Sequence, residues 1–210
     1  MSKKSDQIFT RIARRYDLIN RLLSAGRDQL WRASATRWLP RGRVMDLGSG
    51  TGAALTILEG YEVVAVEPVR QMLSLSPITL RVAGVGEALP FLDGSFDGVF
   101  SAYVLRNLSS VDRTLGEIHR VLRPGGVLAV VDLGRPANPI ARLLHRLGTA
   151  ITLPLAGLLA KAPGDYWYLH KSLDKLAPPD DLLSDSPLRL DRTWRMGLFG
   201  FVYGAVLTKE

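Results

Sequence analysis

The chain has 210 residues, a net charge of +7 and no cysteine. The missing thiols exclude disulfides, thiolate metal sites and the cysteine-nucleophile route to C5-methylated pyrimidines. The length suits one α/β domain with a substantial core.

The charge is uneven. Residues 1–43 hold eleven Lys and Arg against Asp6, Asp17 and Asp28, which leaves the rest of the chain close to neutral. Such a basic segment suits anionic lipid headgroups or nucleic acid, or is a solvated Arg-rich surface. Met1-Ser-Lys-Lys-Ser-Asp lacks a signal-peptide core. The longest low-polarity run, Leu147–Ala160, is too short for a bilayer span and carries Pro154. A soluble, cytoplasmic protein is the expectation.

In chain order, residues 6–24 read as a helix, with Ile8, Phe9, Ile12, Tyr16, Ile19, Leu22 and Leu23 at three- and four-residue steps. A second helix, about Asp28–Trp38, stops before Pro40. Then follow strand Arg43–Leu47, a glycine loop, helix Ala53–Glu59, strand Glu62–Val66, helix Val69–Ser74 and strands Thr79–Ala83 and Gly98–Ala102. Helix Val111–Leu122 takes Ser109 or Ser110 as N-cap, Arg123-Pro-Gly-Gly126 ends it, and Val127–Asp132 suits a central parallel strand. Residues 137–176 look helical, Pro178–Pro187 is a loop, and Leu188–Trp194 and Leu198–Thr208 are the last strands. The alternation predicts a doubly wound α/β sheet with its ligand at the strands' C-terminal ends.

The most specific local signal is Asp46-Leu-Gly48-Ser49-Gly50-Thr51-Gly52 behind an apolar strand. Glycines let backbone approach a ligand, and a helix N-terminus offers it N–H groups. Dinucleotide sites space their glycines G-x-G-x-x-G. The spacing here, G-x-G-x-G with a preceding acid, resembles the first motif of class I S-adenosylmethionine (SAM) methyltransferases. That resemblance implies a Rossmann-like, mostly parallel seven-stranded sheet closed by an antiparallel last strand. It also implies that the loop wraps the methionine end of SAM, with Asp46 holding its charged part directly or through water. Glu67, before Pro68 at the end of the second strand, is placed for a ribose diol. Gly86-Glu87-Ala88-Leu89-Pro90-Phe91 resembles the adenine-flanking segment, with Leu89 and Phe91 as walls. Where these enzymes usually carry Asp, this chain has Val85, so the adenine hydrogen bond is missing or comes from Glu87 or a carbonyl. Ser101, ending the fourth strand, completes the implied cofactor set; no metal is expected.

Two further blocks narrow the family. Phe9-x3-Ala13-x2-Tyr16-Asp17-x2-Asn20-x3-Ser24-x-Gly26-x4-Trp31-Arg32 resembles the N-terminal signature of the ubiquinone/menaquinone biosynthesis C-methyltransferases. Tyr103-Val104-Leu105-Arg106-Asn107 is similar to that family's aromatic-x-Leu-Arg-Asn block, with Val104 at a commonly small position. The resemblance implies methyl transfer to a ring carbon of a prenylated quinol. Such a reaction needs carbon, methyl and sulfur aligned, phenolate charge stabilised and a ring proton accepted. On that reading Arg106 supplies the electrostatic role or orients a water, Asn107 bonds ring oxygens, and Tyr16 lines or caps the pocket. A water or His170 is the base. The bland alternatives are a core tyrosine at 16, an Arg106–Asp17 ion pair, a turn cap at Asn107 and a packing histidine at 170.

The layout is a helical cap (1–40), a cofactor core (41–135), a helical lid or insert (136–187) and closing strands (188–210) within one domain. Ile140–Leu159 suits a prenyl tail or an ordinary buried helix pair. Peripheral contact with an anionic membrane is expected, and a homodimer is left open. An O- or N-directed small-molecule methyltransferase and a SAM-binding protein without catalysis stay as alternatives. Nucleic acid is disfavoured, because Ser101-Ala-Tyr103 lacks the (D/N)-P-P-aromatic motif and no RNA-binding module is recognisable.

Overall fold

A computed structural model describes residue 21 and residues 24–136, 138–159, 173–174 and 178–210. Tyr16, His170 and nearly all of the helix expected over 6–24 lie outside the described residues. Seven strands form one sheet: β1 Arg43–Leu47, β2 Glu62–Val66, β3 Leu80–Val82, β4 Phe96–Ala102, β5 Leu122–Leu133, β6 Arg189–Met196 and β7 Val202–Thr208. Their order is β3-β2-β1-β4-β5-β7-β6. Strands β1 to β5 pair in parallel, whereas β7 runs antiparallel to both β5 and β6. The winding reverses between β1 and β4, and a crevice opens beyond the carboxyl ends of strands at such a switch point.

Among the described residues the helices are α1 Asp28–Thr36, α2 Arg70–Leu73, α3 Val111–Val121, α4 Pro139–Leu159 and α5 Pro179–Ser184. Successive strand residues face opposite sides of the sheet, so the near-continuous apolar runs of β1 and β2 feed two cores. Met45, Leu47, Val64 and Val66 pack with Leu115, Ile118 and Val121 of α3. Val44, Val63 and Ala65 pack with Ala35, Leu39 and Leu58 on the other side. Each fully buried aliphatic contributes about 1.5–3 kcal/mol, so the two layers hold the strand ends at fixed positions. The same alternation puts Asp46 on the Val44 side, the sheet face that α1 covers. That placement decides its electrostatics.

Several boundaries depart from the sequence reading. The segment expected as helix Ala53–Glu59 is a run of turns with one 3-10 turn at Leu55–Ile57. Helix α2 has four residues, and Arg123–Gly126 does not separate helix from strand. Instead Leu122 is already extended, and β5 continues through the Pro-Gly-Gly run, with a register shift against β4 between Phe96 and Gly98. Pro178–Pro187 contains α5, because Pro179 suits a first helical turn and Asp180 and Asp181 complement its dipole. The last strand starts at Val202, after a 3-10 turn at Leu198–Gly200 entered through Gly197 at φ +74°. Of the two candidate caps for α3, Ser110 is the one used, its Oγ accepting from the Arg113 N–H at 3.2 Å.

Candidate cofactor and active site

The carboxyl ends of β1, β2 and β4 frame a cleft at the point where the winding reverses. Arg32, the Gly48–Thr51 loop, Ala53, Glu67, Met72, Ala102, Tyr103, Val104 and Asn107 line it. A neighbouring cavity shares Arg32 and Ala53 and is bordered by Arg21, Asp28 and Gln29.

Gly48, Gly50 and Gly52 adopt φ of +68°, +56° and +82°, a left-handed path that glycine follows without a Cβ penalty. The loop then uses its own amides. Gly48 N–H and Ser49 N–H donate to the Val66 carbonyl at 2.8 and 3.2 Å, and Gly52 N–H donates to the Ser49 carbonyl at 2.9 Å. Gly50 N–H donates to Glu67 Oε2 at 3.0 Å. With those four donors committed and no α-helix following, the loop is not a phosphate cradle. This corrects the expectation of free amides at a helix start. It also argues physically against a dinucleotide, whose pyrophosphate requires them.

Glu67 is buried at 4% exposure, and its other oxygen accepts from the Val69 N–H at 2.9 Å. The carboxylate therefore ties loop to strand and borders the cleft. Asp46 lies deeper and does not line it. Burial pushes its carboxyl up to about 7, with Glu67 adding to the rise and the Arg32 guanidinium opposing it. Oδ2 of Asp46 and the hydroxyls of Ser49 and Ser101 are buried without a hydrogen-bond partner. Orphaned buried polar atoms are costly, and their concentration at three strand-end positions fits a polar ligand.

Arg32 closes the N-terminal block, and its place in the sequence alone assigns it no role. It is 7% exposed and borders both cavities. Its guanidinium lies 5.0 Å from the Tyr103 ring centroid, and its Nε has no hydrogen-bond partner. The signal was an arginine on the buried stripe of α1 with Ala35 and Thr36. Only the packing of α1 on the β5 and β7 side of the sheet brings the Arg32 charge near Asp46.

The Tyr103–Asn107 block follows β4. Tyr103 takes φ +66°, a left-handed conformation costing a non-glycine residue about 1–2 kcal/mol and typical of functional turns. Its N–H donates to the Val131 carbonyl at 2.7 Å. Leu105–Asn107 is a 3-10 turn, and Asn107 Nδ2 donates to the Tyr103 carbonyl at 3.2 Å. Arg106, expected at the acceptor, does not border the cleft. Its Nη1 donates to Asp132 Oδ1 at 2.9 Å, with side-chain exposures of 6% and 0%. Asp132 also accepts from the Leu105 N–H at 2.7 Å and the Leu133 N–H at 2.7 Å. Burial raises the Asp132 carboxyl, while Arg106 and those amides act against the rise.

Gly86, Glu87 and Ala88 also lie outside the cleft lining. Glu87 Oε1 accepts from the Ser109 N–H at 2.6 Å. Partial burial would raise this carboxyl, yet its backbone N–H partners hold it below the usual range. Val85 is 36% exposed, and Pro68 follows Glu67 in the turn before α2. Among the described residues no His, Cys, Asp and Glu group could hold a metal.

The ubiE/COQ5 methyltransferase family matches residues 1–185. The chain is 36% identical over 192 residues to a demethylmenaquinone methyltransferase of Thermus thermophilus, covering 83% of this chain and 87% of that one. It is 39% identical over 183 residues to a ubiquinone/menaquinone biosynthesis C-methyltransferase of Syntrophotalea carbinolica, covering 80% and 77%. In fold it is similar to a SAM-dependent methyltransferase of Thermotoga maritima, a possible histamine N-methyltransferase. The TM-score is 0.70 at 19% identity, over 97% and 99% of the two chains. The glycine loop without a phosphate cradle, the acids at the ends of β1 and β2 and these matches agree on SAM as cofactor and on methyl transfer as the reaction. The chain belongs to the ubiE/COQ5 methyltransferase family.

Proposed function

We propose that this enzyme methylates a ring carbon of a prenylated quinol, with demethylmenaquinol or a ubiquinone-precursor benzoquinol as acceptor. The observation that carries the reading is the aromatic-x-Leu-Arg-Asn turn, which borders the cofactor cleft at Tyr103, Val104 and Asn107 and falls within the family match. SAM supplies a sulfonium methyl, and the chain's residues supply binding and alignment. Glu67 holds the ribose hydroxyls. Asp46 and Arg32 complement the ammonium and carboxylate of the methionine end, since a zwitterion in a low-dielectric pocket needs both signs nearby. Asn107 faces the acceptor oxygens from the cleft wall. Arg106 acts as a positioning residue, its buried pair with Asp132 holding the turn that carries Tyr103 and Asn107. Tyr16 caps the acceptor side, and a water or His170 takes the ring proton. The basic balance of residues 1–43 favours peripheral contact with an anionic membrane, where such an acceptor resides.

The test is methyl transfer from labelled SAM to a short-chain, water-soluble demethylmenaquinol, a benzoquinol analogue and histamine. Ring-carbon methylation of one of the quinols with no transfer to histamine is the expected result. Transfer to histamine alone would overturn the acceptor and leave the cofactor site intact.

A further inference from the structure

One side chain joins the cofactor loop to the acceptor turn. Val104 lines the cleft and is buried at 8% exposure. Gly48, across from it, sits at φ +68°, and a Cβ added there would overlap Val104 Cγ2 and stand 3.2 Å from Cγ1. The valine methyls thus fill the space that the glycine leaves, and the two walls of the cleft touch at this point. The Val104 carbonyl also accepts from the Asn107 N–H at 2.8 Å, which closes the turn that sets Asn107 in the cleft wall.

The valine cannot withdraw. On one side the Tyr103 N–H donates to the Val131 carbonyl at 2.7 Å, and Tyr103 takes φ +66° to make the bend. On the other side the Leu105 N–H donates to Asp132 Oδ2 at 2.7 Å. Both acceptors belong to β5, so the backbone is pinned at each neighbour of Val104. A β-branched side chain is also stiff at χ1, and here it rests against the Gly48 backbone. The methyls form a fixed wall.

The position of this wall decides what it measures. On the reading above, Arg32 and the glycine loop lie at the methionine end of SAM and Asn107 faces the acceptor. The methyl then crosses between them, beside Val104. In-line attack brings the ring carbon close to that methyl, so an entering ring lies against the valine. A single ring clears a fixed branched wall, whereas a fused second ring widens the acceptor in its own plane and meets it. We propose that Val104 is a specificity-determining residue whose bulk disfavours a two-ring naphthoquinol relative to a one-ring benzoquinol. The inference rests on the quinol reading and deepens it.

The experiment compares wild type, Val104→Ala and Val104→Thr on a demethylmenaquinol and a benzoquinol analogue that carry the same short prenyl tail. The readout is kcat/KM for the two-ring acceptor divided by kcat/KM for the one-ring acceptor. Taken within each protein, this ratio cancels any loss of folded enzyme. Val104→Ala removes two methyls and should raise the ratio about tenfold. Val104→Thr keeps the branched shape and should leave the ratio where the wild type has it. Calorimetric binding of the two oxidised quinones, which needs no turnover, should shift in the same direction. A ratio that Val104→Ala leaves unmoved would overturn the proposal. So would an equal rise in Val104→Thr, because polarity rather than bulk would then decide. A wild type that binds SAM yet methylates neither quinol overturns the quinol reading, and this inference with it. Quinol methylation with an unmoved ratio overturns this inference alone.

Discussion

Asp46→Asn should make the ligand-free enzyme more stable at neutral to alkaline pH and weaken its hold on SAM. In the folded chain the Asp46 carboxyl sits at about 7, against an ordinary 3.8, because it is buried without a direct hydrogen bond to Oδ2. A folded-state value above the unfolded one means that the folded protein binds the proton more tightly. Stability is therefore fully present below about pH 4, falls as pH rises toward 7 and is flat beyond. Roughly three pH units at about 1.4 kcal/mol each give about 4 kcal/mol as an upper figure. For a chain of this size that corresponds to about 8–16 °C in melting temperature. The amide variant keeps the shape and lacks the titration. Every other carboxylate titrates in both proteins, so the difference between their melting curves isolates Asp46. Thermal or urea unfolding between about pH 4 and pH 8 should show the two coinciding at the acid end and the variant ahead at the alkaline end. Saturating SAM should reverse the order at pH 8, because its ammonium offsets the buried charge only in the wild type. A flat difference across this range, or a variant less stable at pH 8, would refute the reasoning.

The Arg106–Asp132 pair predicts an asymmetric pattern. Asp132→Ala strands a buried guanidinium and should cost about 3–5 kcal/mol in urea unfolding. Arg106→Ala should cost less, because Asp132, already raised by burial, can take a proton; its stability should recover as pH falls. The double variant Arg106→Met/Asp132→Leu should regain most of the stability while still losing methyl transfer. At Gly52, φ is +82° and a Cβ would stand 2.5 Å from Ser76 Oγ and 2.8 Å from Pro77 Cδ. Gly52→Ala should thus lower stability by about 1–3 kcal/mol, with calorimetric SAM affinity reduced at least tenfold.

Local chemistry was legible from sequence wherever one element contains its own cause. The β1 and β2 boundaries follow from short apolar runs between turn residues, and the α3 cap from a serine placed before an amphipathic pattern. The cofactor loop follows from three glycines that all take positive φ. The antiparallel ending of the sheet came from resemblance, since hydrophobic pattern alone carries no strand order. What sequence could not disclose depends on which faces meet across the fold. Arg106 looks available in a motif, yet the register of β5 brings Asp132 beneath it, and a buried carboxylate binds a guanidinium more strongly than solvent does. Arg32 looks like one basic residue among eleven, yet α1 packs against β5 and β7 on the sheet face that holds Asp46 and sets it at the cleft. The leucines of α4 read equally well as a core helix, because hydrophobic spacing marks a stripe without saying which way it points. Packing alone turned that stripe outward, with Leu143, Leu144 and Leu147 more than half exposed.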